Sequence, residues 1–154
     1  MRLKISTLLI LAICIAGCGD DHYAFRGERS SDGGVSGSFT ITRGGLYSVA
    51  IESDVDAKNR VDVFRYFKDF KNRKPISALV NIDKNDGRSR TRIIEAEVVN
   101  PTPSSWSASS IYSELVRVKL ESGSYEMSMR FKGVEPAGHD FIDHIIIERA
   151  YSGK

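Results

Sequence analysis

The sequence predicts a mainly β protein, an antiparallel sandwich of two sheets with one helix or helical insertion. Three observations predict it. Apolar and polar residues alternate with period two through most of residues 35–150. Glycine turns punctuate the alternation at Arg43-Gly44-Gly45, Asn85-Asp86-Gly87 and Ser122-Gly123. Only 56–70 departs clearly from the period of two.

Val35, Gly37, Phe39 and Ile41 alternate with Ser36, Ser38, Thr40 and Thr42, as in a half-buried strand. Tyr47, Val49 and Ile51 alternate with Ser48, Ala50 and Glu52 in a second. Within 56–70, Val63 or Phe64, Phe67 and Phe70 recur at helical spacing, and Asp54 or Asp56 suits the helix start. A strand through 61–64 is the competing reading; the helix is preferred because the spacing persists beyond four residues.

Ile76, Ala78, Val80 and Ile82 form the next strand, and Asp86-Gly87 joins it to 92–99 as a hairpin. Asn100-Pro101-Thr102-Pro103 breaks the pattern. Tyr112, Val116, Val118 and Leu120, then Tyr125, Met127, Met129 and Phe131, read as two strands around Gly123. Phe141 to Ile147 closes the domain as a buried strand. The count is about seven strands and one helix.

The N-terminus reads differently. Arg2 and Lys4 precede an apolar run from Ile5 to Ala16, too short for a membrane span, which needs ~20 residues. Small residues Ala16 and Gly17 stand before Cys18. Ile15-Ala16-Gly17-Cys18 resembles the lipobox of bacterial lipoproteins. The resemblance implies a signal peptide over 1–17, cleavage before Cys18 and acylation of Cys18. Three acyl chains would anchor the chain stably, at ~0.8 kcal/mol per buried CH₂. Gly19, where enteric bacteria place an inner-membrane retention Asp, favours the outer membrane, facing the periplasm. Residues 18–34 read as a lipidated flexible linker, rich in Gly, Asp, Arg and Ser, with a reach of ~50 Å. Tyr23 and Phe25 interrupt it as apolar pins. The sandwich domain is expected over 35–150.

Processing changes the composition. Taking 17 residues from 154 leaves 137, enough for one domain core. Losing Arg2 and Lys4 lowers Lys plus Arg from 22 to 20, which balances 20 Asp plus Glu. A neutral chain lacks the basic excess that nucleic-acid binding requires. Of two cysteines, Cys14 leaves with the signal and Cys18 carries lipid, so no disulfide or catalytic thiol is expected.

Gly45-Leu46-Tyr47-Ser48-Val49 and Gly123-Ser124-Tyr125-Glu126-Met127 echo one another, each placing a Tyr two residues after a turn glycine. Leu120 to Tyr125 resembles a turn-and-strand motif of jelly-roll sandwiches, including carbohydrate-binding modules. With the Arg60–Phe70 segment and Ser105-Trp106, the two Gly-x-Tyr strands resemble an uncharacterised family of bacterial β-sandwich lipoprotein domains. That family implies a jelly-roll-like fold and a location, and no site.

Catalytic motifs are missing from the sequence, and the expectation is no enzyme and no cofactor. His139 and His144 fall on opposite faces of a strand and lack further His or Cys nearby, so no metal site is expected. Asp83 to Gly87 lacks the bidentate Glu of a calcium loop, because the twelfth position is Ile94. Arg88, Arg90 and Arg92 lie at period two and suggest a basic stripe for an acidic partner. Trp106, the single tryptophan, sits in a Ser-rich loop suited to contacting a protein or a sugar ring. Together these give a membrane-anchored, non-catalytic module that binds an envelope protein, with an immunity or inhibitor protein as one form. The alternative is a glycan- or peptidoglycan-binding module.

Overall fold

A computed structural model describes residues 23–30, 33–56, 58–69, 75–133 and 141–150. The expected two-sheet antiparallel sandwich is the observed architecture. Nine strands and one helix occur among the described residues: β1 (Tyr23–Glu28), β2 (Gly34–Ile41), β3 (Gly45–Asp54), α1 (Arg60–Lys68), β4 (Ser77–Asn85), β5 (Arg90–Val99), β6 (Ser105–Trp106), β7 (Ser110–Leu120), β8 (Gly123–Lys132) and β9 (His144–Arg149). One sheet runs β1-β9-β3-β7-β6 and the other β2-β8-β4-β5.

Alternation sets which face meets the core. Val49, Ile51, Ile145 and Ile147 of the first sheet face Val80, Ile82, Met127 and Met129 of the second, and all are buried. Each such side chain contributes ~1.5–3 kcal/mol when fully removed from water. The β4–β5 hairpin turns on Gly87, whose φ of 78° suits glycine. Asn85 Oδ1 accepts the Gly87 N–H at 2.9 Å and fixes the turn.

The helix is realised, shorter than the 56–70 segment, between β3 and β4. Asn59 stands at its N-cap without a side-chain cap bond. Asp56 acts one turn earlier, accepting the N–H groups of Lys58 and Asn59 at 2.7 and 3.0 Å. Those two bonds hold its carboxyl below the usual range. Val63 and Phe67 are fully buried, and Tyr66 packs on Phe67 and Phe141.

The flexible-linker reading of 18–34 needs correction. Tyr23–Glu28 is a strand paired with β9, so the folded domain extends upstream of Val35. Phe25 docks it: a Cβ on Gly37 would come within 2.5 Å of the Phe25 ring, so glycine makes the notch. Phe39 continues the aromatic row, 6.0 Å from Phe25 and stacked on Tyr125 at 5.4 Å. Cys18 and the 1–17 segment lie outside the described residues, as does His139.

Candidate functional site

A cross-strand row spans the outer face of the first sheet. Glu28 pairs His144, His144 pairs Glu52, Glu52 pairs Tyr112, and Tyr112 pairs Ser105. β3 lies at the centre of that sheet, which puts Glu52 in the middle of the row. Four donors converge on it: Arg26 Nε at 2.8 Å, the Tyr23 and Tyr112 hydroxyls at 3.3 Å, and Ser110 Oγ at 3.4 Å. Their side chains cover the carboxyl until only 4% of the residue is exposed. A buried carboxylate requires such pairing, since desolvating it alone is costly.

The surroundings respond electrostatically. Burial pushes the Tyr23 phenol well above its ordinary value, reinforced by Tyr112 and by the charge of Glu52. Asp143 accepts the Asp54 N–H at 2.7 Å, which favours its charged form. Burial outweighs that bond and raises the Asp143 carboxyl, with Asp54 and Glu52 adding repulsion.

Glu52, Asp54 and His144 offer ligand atoms that all lie within 4.8 Å of one another. Arg26 already stands at that point, with Nη2 3.1 Å from His144 Nδ1 and Nε on Glu52. A divalent ion would have to displace this guanidinium. Sequence reasoning missed the cluster because its cation comes from the supposed linker and its acid hides in a regular alternation. Glu52 was read at an outward position, but Tyr112 was grouped with the inward Val118 and Leu120; the bulge opposite Val49 and Ala50 shifts the phase of β7 and turns Tyr112 outward.

The arginine stripe is only partly a stripe. Arg88 lies in the β4–β5 turn, not on the strand. Arg90 bonds Glu126, and Arg92 bonds both Asp83 and Glu95. Carboxylates of β4, β5 and β8 therefore neutralise Arg90 and Arg92.

Trp106 is 65% exposed on the two-residue edge strand β6. It does not fold flat over the sandwich. Its ring meets Phe64 of α1 edge-on at 5.8 Å. Lys68 Nζ stands 5.6 Å from the centroid of the Phe64 ring. Arg60, one turn before Phe64, donates to the Ala108 carbonyl and ties α1 to the Trp106 loop. Val61, 61% exposed, lies three residues before Phe64 on the same side of the helix. The result is an apolar edge rimmed by cations.

An open cavity of about 600 Å³ lies at the opposite end of the sandwich, where β1 begins and β2 ends. A smaller one of about 270 Å³ lies on the outer face of the second sheet beside Arg90 and Glu126. Glu52 lines neither. Among the described residues, no helix is long and apolar enough to cross a membrane.

No protein-family model matches the chain, and no curated protein is significantly similar to it. Among solved structures, it resembles a protein of Sulfurospirillum deleyianum at TM-score 0.60 and 9% identity, over 82% of this chain and 95% of that one. That likeness supports the sandwich fold. A ruminal GH26 endo-β-1,4-mannanase aligns at TM-score 0.41 and 14% identity, over 90% of this chain and 21% of the enzyme. An insect Eiger TNF structure from S. frugiperda aligns at TM-score 0.34 and 12% identity, over 84% of this chain and 92% of that one.

Proposed function

We propose that this chain is a cell-envelope lipoprotein, anchored through Cys18 in the outer membrane and facing the periplasm, that binds another envelope protein without catalysis. The observation that carries the binding reading is the edge formed by Trp106, Phe64 and Val61. Exposed tryptophan beside a second aromatic ring is the composition of an interface anchor. Lys68 stands by the Phe64 ring and Arg60 is tied to the Trp106 loop, while Asp62, the one acid of α1, pairs with Arg65. The partner is therefore an acidic protein surface with an apolar centre. Immunity to, or inhibition of, an envelope-acting protein is the biological form that such a module takes most simply.

Metabolic labelling with a fatty-acid analogue tests the anchor: Cys18→Ser should lose the label, and retention of it would refute the assignment. Partner binding is tested on the lipidated protein in detergent, against the protein that co-purifies with it. Trp106→Ala should weaken that complex at least tenfold through faster dissociation, and Lys68→Glu should slow association. Arg90→Glu should leave binding unchanged. Specific, Trp106-dependent binding to isolated saccharides on a glycan array would replace the protein partner with a glycan.

A further inference from the structure

Two arginines line the 600 Å³ cavity at the end of the sandwich, Arg43 and Arg149, together with Thr40, Thr42 and Tyr23. Neither arginine pairs with a carboxylate among the described residues, and no Asp or Glu lines the cavity. Among the described residues Arg149 Nη2 donates to the Gly44 carbonyl, at 3.1 Å. Arg26, Arg65, Arg90, Arg92 and Arg117 are each matched by an acid, whereas Arg43 and Arg149 stand together at one opening without one. Two guanidinium groups and the Thr40 and Thr42 hydroxyls around an acid-free opening suit a phosphate oxyanion, the Tyr23 and Tyr47 hydroxyls being bonded to Glu52 and the Arg43 carbonyl.

The position of the opening selects the source of that phosphate. Tyr23 lines the cavity and stands five residues after Cys18, so an acylated Cys18 lies at most ~17 Å away. We infer that this end of the sandwich docks on the anchoring bilayer, with an anionic phospholipid headgroup held in the cavity between Arg43 and Arg149. The inference rests on the lipid anchor at Cys18. Two further features fit a lipid surface better than free phosphate. Leu46, second residue of β3 and next to Tyr47 of the cavity lining, is 46% exposed on the outer face at the same end of the sandwich, as an interfacial contact requires. Lys119 stands opposite it in the β3–β7 ladder and adds a third cation. The ten residues of β3 then carry the chain ~30 Å away from the bilayer to α1 and the Trp106 edge. Docking one end leaves the other free for its partner.

The test uses the lipidated mature protein reconstituted in vesicles. Leu46→Cys supplies the sole free thiol for an environment-sensitive dye, and Ser122→Cys in the neighbouring turn is a second reporter should the first unfold. Dye emission should shift to the blue on vesicles of phosphatidylglycerol and phosphatidylcholine, relative to phosphatidylcholine alone. Arg43→Gln and Arg149→Gln should each reduce the docked population about fivefold. Trp106 emission should stay constant throughout. Equal dye emission on both vesicle types would overturn the inference. So would reversal of the shift by millimolar inorganic phosphate, which would assign the cavity to the free anion. Fatty-acid label on Cys18 in the same preparation is read separately, so a failed anchor is distinguished from an anchored protein that does not dock.

Discussion

Tyr47 and Tyr125 are counterparts on opposite sheets, each donating its hydroxyl to the carbonyl four residues earlier. Tyr47 bonds Arg43 at 2.8 Å and Tyr125 bonds Glu121 at 2.9 Å, both across a glycine-bearing turn. The same corner is thus built twice, once where β3 leaves its turn and once where β8 does. Both rings are buried, at 6% and 2% exposure. Tyr→Ala at either position should cost ~3 kcal/mol or more, and Tyr125→Phe only ~1 kcal/mol, since it keeps the stack on Phe39. Denaturant melts of the three variants check this; a loss under half a kcal/mol for both alanine variants would contradict the corner's role.

Arg26 and Glu52 form a half-exposed and a buried partner, respectively. Arg26→Ala should destabilise by ~2 kcal/mol, because it leaves Glu52 covered by two tyrosines without its cation. Adding Glu52→Gln should recover most of that loss, since an amide still accepts from Tyr23 and Tyr112. A double-mutant cycle by chemical denaturation reads the coupling. Additive losses would show that the pair is incidental.

Asp143 gives a pH signature of unusual sign. Its folded-state carboxyl is raised by burial, so the folded state holds the proton more tightly than the unfolded one. The stability from this group is present below the ordinary carboxylate value of 3.8 and is lost as pH rises through the raised folded-state value. Asp143→Asn keeps an oxygen for the Asp54 N–H and removes the charge. The variant should therefore melt higher than wild type at pH 7, with the gap closing as the pH falls toward 3. Thermal melts across pH 3–8 decide it; a gap that widens in acid would reverse the sign.

The sandwich was legible because its strands are half-buried, and Tyr47-Val49-Ile51 or Ala78-Val80-Ile82 declare their inner face by period alone. β1 was not. Arg26, Gly27 and Glu28 read as solvated linker, and what makes them a strand is remote: the notch at Gly37 and the carboxyl of Glu52. The same blindness affected the arginines. Period two correctly put Arg90 and Arg92 on one outer face, but Arg90's partner Glu126 lies 36 residues away in sequence. Trp106 was singled out in a loop and is exposed there, whereas its companion Phe64 was read only as an alternative apolar position of the helix. Glu52 was placed on the right face, and its burial came from Tyr23 and Tyr112, which no local pattern connects to it.

Among the described residues β1 is the first strand and sits at the outer edge of its sheet, hydrogen-bonded to β9 alone. Any tension applied at the N-terminus therefore enters the fold along the axis of this one strand. Antiparallel pairing with β9 loads the ladder bonds in shear, sharing the pull among them, while unzipping would break them singly. Arg26 on Glu52 and Phe25 in its glycine notch act as two cross-pins that resist sliding. The strand that looks like the start of a loose leash is in mechanical terms the clasp.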